Sequence, residues 1–255
     1  MAFSCTMINP QQLNQWAASQ HRPSSILLLG REPVGLAGQL QYVAGRGCSI
    51  GGMPQYIVNA TSEEQIATAL KSAADRNIRA VVKGTGHDLN GRSSGAFALS
   101  IWTYNLRRLG RHISWRNPST NTSEDVYIVS SGQKWGNFLD MALEQGRVVT
   151  TGQDPSVGLG GYIHGGGHGP ISRTYGLAAS HVVQMRVVTT EGEILVVNGA
   201  QNQDLYWALR GGGPGLYGVV TEYVIRHHPA PPNVVMENLL VAPRDDGSNR
   251  SAELS

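Results

Sequence analysis

Between Tyr56 and Ile225 the apolar positions follow two rhythms, one residue in two and one in 3.6, and glycine-rich stretches interrupt both. Tyr56-Ile57-Val58 reads as a short strand. Thr61 and Glu64 then stand at the spacing of a capping box, which opens a helix. Ile66, Ala69, Leu70, Ala73 and Ala74 give that helix one apolar face, and Asn77 suits the left-handed residue that ends it. The run Ile78 to Val82 reads as a buried strand. It delivers the chain into Lys83-Gly84-Thr85-Gly86-His87-Asp88.

The same order recurs further on. Val126 to Val129 is a strand, and Trp135, Phe138, Leu139, Ala142 and Leu143 mark an amphipathic helix closed by Gly146. Val148-Val149 follow as a strand, and glycine returns at Gly152. Between the two units Leu99 to Trp102 reads as a strand and Asn117 to Asp125 as an exposed loop. Residues 182–197 alternate about Glu191-Gly192, a hairpin signal. Asp204 is placed to cap a short helix reaching Leu209, and Gly218 to Ile225 is again strand. Residues 1–50 read as an irregular lead-in, 51–232 carry the regular structure, and 233–255 form a loose polar tail. Strand–helix–strand–glycine-loop, twice over, is an α+β or α/β pattern.

Composition narrows the classes. The 255 residues fit one large or two small domains, and 40% hydrophobic with 15% charged residues suffices for a core. A net charge of +2 without a basic cluster argues against nucleic acid or an anionic membrane surface as partner. No stretch is long and apolar enough to span a bilayer. The first residues show no basic segment followed by an apolar run, so the default expectation is an intracellular protein, with secretion open if the N-terminus is incomplete. Cys5 and Cys48 lack metal-site spacing, and sequence gives no distance by which to pair them. Sequons at Asn59, Asn121 and Asn249 matter only in a secreted chain.

The 32 glycines change the picture because they are concentrated. Gly84 and Gly86 let backbone N–H groups face an anion such as a pyrophosphate, although a tight turn with an exposed histidine would read the same way. Nine glycines lie between Gly152 and Gly176, more than packing should require, which points to backbone running along a large or anionic ligand. His164 and His168 are four apart, but glycines between them keep the imidazoles off one helical face, and no carboxylate or cysteine completes a metal site. No G-x-S-x-G elbow offers a hydrolase nucleophile. The cluster Gly211 to Gly218 follows a helix and precedes a strand, the reverse of a Rossmann fingerprint.

Taken together, these segments carry a resemblance. Lys83-Gly84-Thr85-Gly86-His87-Asp88 resembles the loop in which FAD enzymes of the vanillyl-alcohol-oxidase and berberine-bridge-enzyme group attach the flavin 8-methyl carbon to a histidine. Thr151 to Gly169, reading TGQDPSVGLGGYIHGGGHG, is similar to the group's second flavin-binding segment. Tyr175-Gly176-Leu177-Ala178 and Gly218-Val219-Val220-Thr221-Glu222 are similar to two further segments, in the group's order, so the likeness runs from about Gln55 to His228. The flavour is that of fungal secondary-metabolism oxidases.

The resemblance implies an α+β, two-subdomain PCMH-type FAD-binding fold with mixed sheets and flanking helices. It implies FAD, tethered through His87, accepting a hydride from a small organic substrate and passing electrons to molecular oxygen. The residues it places at the cofactor are Lys83, Gly84, Thr85, Gly86, His87, Asp88, Gly152, Asp154, Val157, Gly158, Gly160, Gly161, Gly165, Gly167, Leu177, Gly218 and Val220; it leaves the catalytic base unassigned. Asp154 stands where bicovalent members carry cysteine, which implies a single bond. Ser180 stands where the group often has an acid, and Pro214 and Leu216 depart from its usual glycine-rich turn. Members of the group continue about as far again into a substrate-binding domain, and nothing after residue 232 resembles it. The expected alternative to an active oxidoreductase is therefore a catalytically silent flavin-binding chain completed by a partner.

Overall fold

The computed structural model describes residues 52–235, together with the backbone of 26–28, 42–43 and 47–48. In chain order the elements are β1 (Ile26–Leu28), β2 (Tyr42–Val43), β3 (Gly47–Cys48), β4 (Tyr56–Asn59), α1 (Glu63–Asp75), β5 (Ala80–Lys83), β6 (Leu99–Trp102), β7 (Leu109–Arg116), β8 (Ser123–Ser130), α2 (Trp135–Glu144), β9 (Arg147–Val148), α3 (Leu159–His164), α4 (Ser172–Tyr175), a 3₁₀ turn (Ala178–His181), β10 (Val182–Val188), β11 (Ile194–Asn198), α5 (Gln203–Ala208), β12 (Val219–Arg226) and β13 (His228–Pro229). Cys5, the Cys48 side chain and the Asn249 sequon lie outside the described residues.

The first half is a four-stranded mixed sheet in the order β1-β4-β6-β5, with β4 and β5 parallel to β6 and β1 antiparallel to β4. Helix α1 makes the crossover from β4 to β5, two parallel strands with β6 inserted between them. It lays Ile66 and Leu70 on Val58, Ile101 and Leu106. Its cap sits one residue later than Thr61 and Glu64 predict. The Ser62 hydroxyl accepts the Gln65 N–H at 3.4 Å, and the Gln65 side chain returns to the Thr61 N–H at 2.9 Å. Glu63 and Glu64 fill the first turn, where acids suit the helix dipole. Asn77, at φ 51°, is left-handed as predicted. The strand expected over Ile78 to Val82 begins at Ala80 and is only half-buried, because β5 is an edge of this sheet.

The second half is a five-stranded antiparallel sheet in the order β11-β10-β12-β8-β7. Its core holds Tyr127, Trp135, Phe138, Met185 and Tyr223, with α2 contributing Trp135, Phe138 and Ala142. The exposed loop expected over Asn117 to Asp125 is shorter than that: strand resumes at Ser123, and an unforeseen strand, β7, precedes the turn. Helix α5 opens at Asn202, left-handed at φ 51°, and Asp204 lies inside its first turn, so the expected Asp204 cap is corrected to Asn202.

The halves are locked together. Val188 and Val219 of the second sheet pack into the core of the first. Arg186 on β10 donates from Nε to Glu63 Oε1 at 2.8 Å, and the Thr221 hydroxyl donates to the same oxygen at 2.5 Å. Among the described residues no helix is long and apolar enough to cross a membrane.

Candidate functional site

A cleft of about 490 Å³ opens between the halves. One wall is the loop leaving β5, from Gly84 to Ser93, with Thr103 at the end of β6. The other comes from Ser131 after β8, the stretch from Val157 to His164, the turn at Pro214-Gly215, and Gly218, Val220 and Tyr223 on β12. The Trp102 indole donates to the Gly84 carbonyl at 3.1 Å, and the Thr103 N–H to the Lys83 carbonyl at 2.9 Å, which anchor the first loop on its sheet. The Thr85 hydroxyl accepts the Gly158 N–H at 2.9 Å and joins the two walls.

The glycines divide by what surrounds them. A Cβ on Gly169 would lie 1.7 Å from the Thr151 carbonyl oxygen. One on Gly167, at φ +72°, would lie 2.5 Å from the Tyr162 ring. These glycines serve close packing inside the segment. At Gly84, Gly160 and Gly161 the nearest atom to an added Cβ is 3.9–4.0 Å away, so packing does not demand glycine there, and all three line the cleft. Of the nine glycines, then, part build the loop and part face the cleft. Thr85, Gly86 and His87 donate no backbone N–H to protein acceptors among the described residues. The Gly158 and Leu159 amides are taken, by Thr85 and by the Gln133 carbonyl, which leaves Gly160 and Gly161 as the free donors of that stretch.

His87 sits on the cleft wall with Nε2 2.7 Å from the Ser156 hydroxyl oxygen. Ser156 in turn donates its hydroxyl and its backbone N–H to Asp154 Oδ1 at 2.7 and 2.8 Å. Deeper in the cleft, the Tyr223 hydroxyl lies 3.1 Å from Nε2 of the buried His164. Burial pulls His164 down to about 4 and pushes the Tyr223 phenol up, so both are neutral at pH 7. The Ser131 hydroxyl is buried without a protein partner. Lys83 runs beneath Gly86, its Cε 3.0 Å from where a Cβ on Gly86 would stand, and desolvation lowers its ammonium.

A family model described as an FAD binding domain matches residues 54–198. The chain is 38% identical to the FAD-linked oxidoreductase apf9 of Gibberella fujikuroi over 206 residues, 78% of this chain and 35% of that protein. Among solved structures, the VAO-type flavoprotein MtVAO615 from Myceliophthora thermophila superposes with a TM-score of 0.68 at 38% identity, covering 72% of this chain and 33% of that one. Berberine bridge enzyme from Eschscholzia californica does so with a TM-score of 0.63 at 29% identity, over 71% of this chain and 35% of that one.

The chain belongs to the FAD-binding family of the vanillyl-alcohol-oxidase and berberine-bridge type. It spans about a third of the length of these relatives.

Within this FAD-binding domain, eleven of the residues singled out from sequence line the cleft: Gly84, Thr85, Gly86, His87, Asp88, Val157, Gly158, Gly160, Gly161, Gly218 and Val220. Lys83 underlies the loop, and Asp154 reaches the cleft through Ser156. Gly152, Gly165 and Gly167 pack within their own segment, and Leu177 stands 45% exposed away from the lining. Ser180 is likewise exposed and outside it. Arg92, Ser131, His164 and Tyr223 line the cleft unforeseen. His164 lies inside the glycine-rich segment, where its spacing to His168 draws attention to a metal site instead, and its contact with Tyr223 depends on how α3 docks on β12. The lining fits FAD. Val82, Val157 and Val220 offer apolar surface, unpaired amides offer anion donors, and the orphaned Ser131 hydroxyl calls for a polar partner.

Proposed function

We propose that this domain holds FAD in the cleft, tethered by a single bond through His87, and that it forms the cofactor half of an oxidase of small organic substrates. The observation that carries this reading is His87, held on a glycine loop at the wall of a cleft lined by Gly84, Gly160 and Gly161, where packing does not demand glycine. Bound FAD would supply the redox chemistry, taking a hydride from substrate and passing electrons to molecular oxygen. The chain's own residues bind and orient. The unpaired amides of Thr85, Gly86 and His87 on one wall and of Gly160 and Gly161 on the other would bind the diphosphate. Arg92 adds positive charge to the lining, and Ser131 a hydroxyl. His164 and Tyr223, both neutral, close the floor without introducing charge.

The test is the visible spectrum of the purified chain before and after acid precipitation. Yellow flavin that stays with the pellet, and is released in His87→Ala, supports the reading; a chain that remains colourless with added FAD sinks it. A second reading, a flavin-holding chain completed by a partner, is favoured by Leu89, fully exposed on the cleft wall, and Leu216, 64% exposed and next in sequence to Gly215 of the lining. Peroxide formation from candidate substrates only when a partner chain is added separates the two.

A further inference from the structure

Asp154 replaces a cysteine that would make a second tether, and the structure gives it another task. Hydrogen-bond polarity defines that task step by step. An ionised carboxylate can only accept, so the Ser156 hydroxyl, 2.7 Å from Asp154 Oδ1, must spend its proton there. The Ser156 backbone N–H, at 2.8 Å on the same oxygen, keeps the carboxylate beside the hydroxyl. With its proton committed, the Ser156 oxygen faces His87 Nε2 at 2.7 Å with a lone pair only. A lone pair must meet a proton, so Nε2 carries the ring's N–H. The neutral imidazole then bears its free electron pair on Nδ1, which has no protein partner among the described residues.

We infer that Asp154 and Ser156 are positioning residues that set the tautomer of His87 and present Nδ1 as the nucleophile of the tether. The inference rests on the flavin reading above for its purpose, though not for its geometry. The Ser156 side-chain and backbone hydrogen bonds, with the nearby His87 adding to them, hold the Asp154 carboxyl below its usual range, so it is ionised at neutral pH. In the bond-forming reaction Nδ1 supplies the electron pair to the flavin 8α-carbon, and that carbon gives up one C–H proton. With FAD bound, the two electrons this leaves, with that proton and the one released from Nε2, would depart with molecular oxygen as hydrogen peroxide. The positive charge that appears on the imidazole is relieved when Nε2 releases its proton along Ser156 toward Asp154. A carboxylate at the end of a hydroxyl relay stabilises that charge as it develops.

Two measurements decide it. In the full chain without flavin, labelled with ¹⁵N-histidine, the His87 signals (identified by their loss in His87→Ala) should show a protonated Nε2 and a bare Nδ1. Ser156→Ala should relax them toward the mixed tautomers of a free imidazole, and Ser156→Thr should restore them. With FAD added, Ser156→Ala and Asp154→Ala should take up flavin as the parent does but form acid-stable flavin about tenfold more slowly, with Ser156→Thr near the parental rate. A protonated Nδ1 in the parent chain, a tautomer unmoved by Ser156→Ala, or undiminished bond formation in that variant would each overturn the inference. If the chain takes up no FAD, the proposed function falls, and the ¹⁵N result still decides the relay.

Discussion

The Thr85 hydroxyl accepts the Gly158 amide proton at 2.9 Å, a single hydrogen bond that spans loops 73 residues apart and sets the width of the cleft between them. Thr85→Val keeps the shape of the side chain and leaves the Gly158 N–H unpaired in a half-buried place. The expected cost is about 1–3 kcal/mol, read as a lower urea midpoint at unchanged slope. Flavin uptake should weaken in parallel, and Thr85→Ser should recover most of both losses.

Gly169 and Gly160 should respond oppositely to the same change. Gly169→Ala sets a methyl 1.7 Å from the Thr151 carbonyl oxygen, a backbone atom that cannot step aside, and should prevent folding or lower the melting temperature severely. Gly160→Ala meets nothing closer than the Tyr223 hydroxyl at 3.9 Å and lies in the first turn of a helix, where alanine is favoured over glycine by about 0.5–1 kcal/mol. Its melting temperature should hold or rise while its titration with FAD weakens. Thermal melts and flavin fluorescence on the two variants check both halves.

Glu63 couples the halves of the domain in a pH-dependent way. The Arg186 hydrogen bond first, then the Thr221 hydroxyl and the Arg186 charge, outweigh burial and hold its carboxyl below the usual range. A depressed carboxylate contributes stability that is complete above its unfolded pKa, about 4.3, and is lost as pH falls through the lower folded value. Glu63→Gln should cost about 1–2 kcal/mol at pH 7, with Arg186 39% exposed and screened, and should flatten the acid limb of stability below about pH 4.3.

His164 acts in a higher window. Burial lowers it to about 4, whereas the unfolded chain takes up its proton near 6.5. Between those values the unfolded state binds more protons, so stability is complete above about 6.5 and declines as pH falls toward 4. His164→Gln should reduce the stability difference between pH 7 and pH 5 in urea melts. Tyr223→Phe, which leaves His164 Nε2 without its partner, should cost about 1–3 kcal/mol at both pH values.

What the sequence made legible was local, and what it hid depended on neighbours. The apolar face of α1 and the left-handed Asn77 follow from short-range chemistry and stand where expected. The cap slipped by one residue because Thr61 and Ser62 are chemically equivalent as caps; Gln65 bonding back to the Thr61 N–H decided for Ser62. Strand β7 escaped because it lies at a sheet edge, is largely exposed, and breaks register between His112 and Trp115, which erases alternation. The His87 loop was readable because Gly84 and Gly86 stand two apart, directly before the histidine and after a strand. The Asp154–Ser156–His87 relay was not, since it depends on how two loops 69 residues apart are docked.

The strand order carries a consequence for the making of the protein. Hairpins β7–β8 and β10–β11 are complete by residue 198, yet the strand that belongs between them, β12, is the last of the five to be synthesised. Until Arg226 has left the ribosome, β8 and β10 each present an unpaired backbone edge, and β10 is apolar along Val182–Val188 except at Gln184 and Arg186. Such edges are templates for pairing with another chain. A fragment ending at residue 198, where the family match ends, would keep both edges open for good and should be recovered as aggregate.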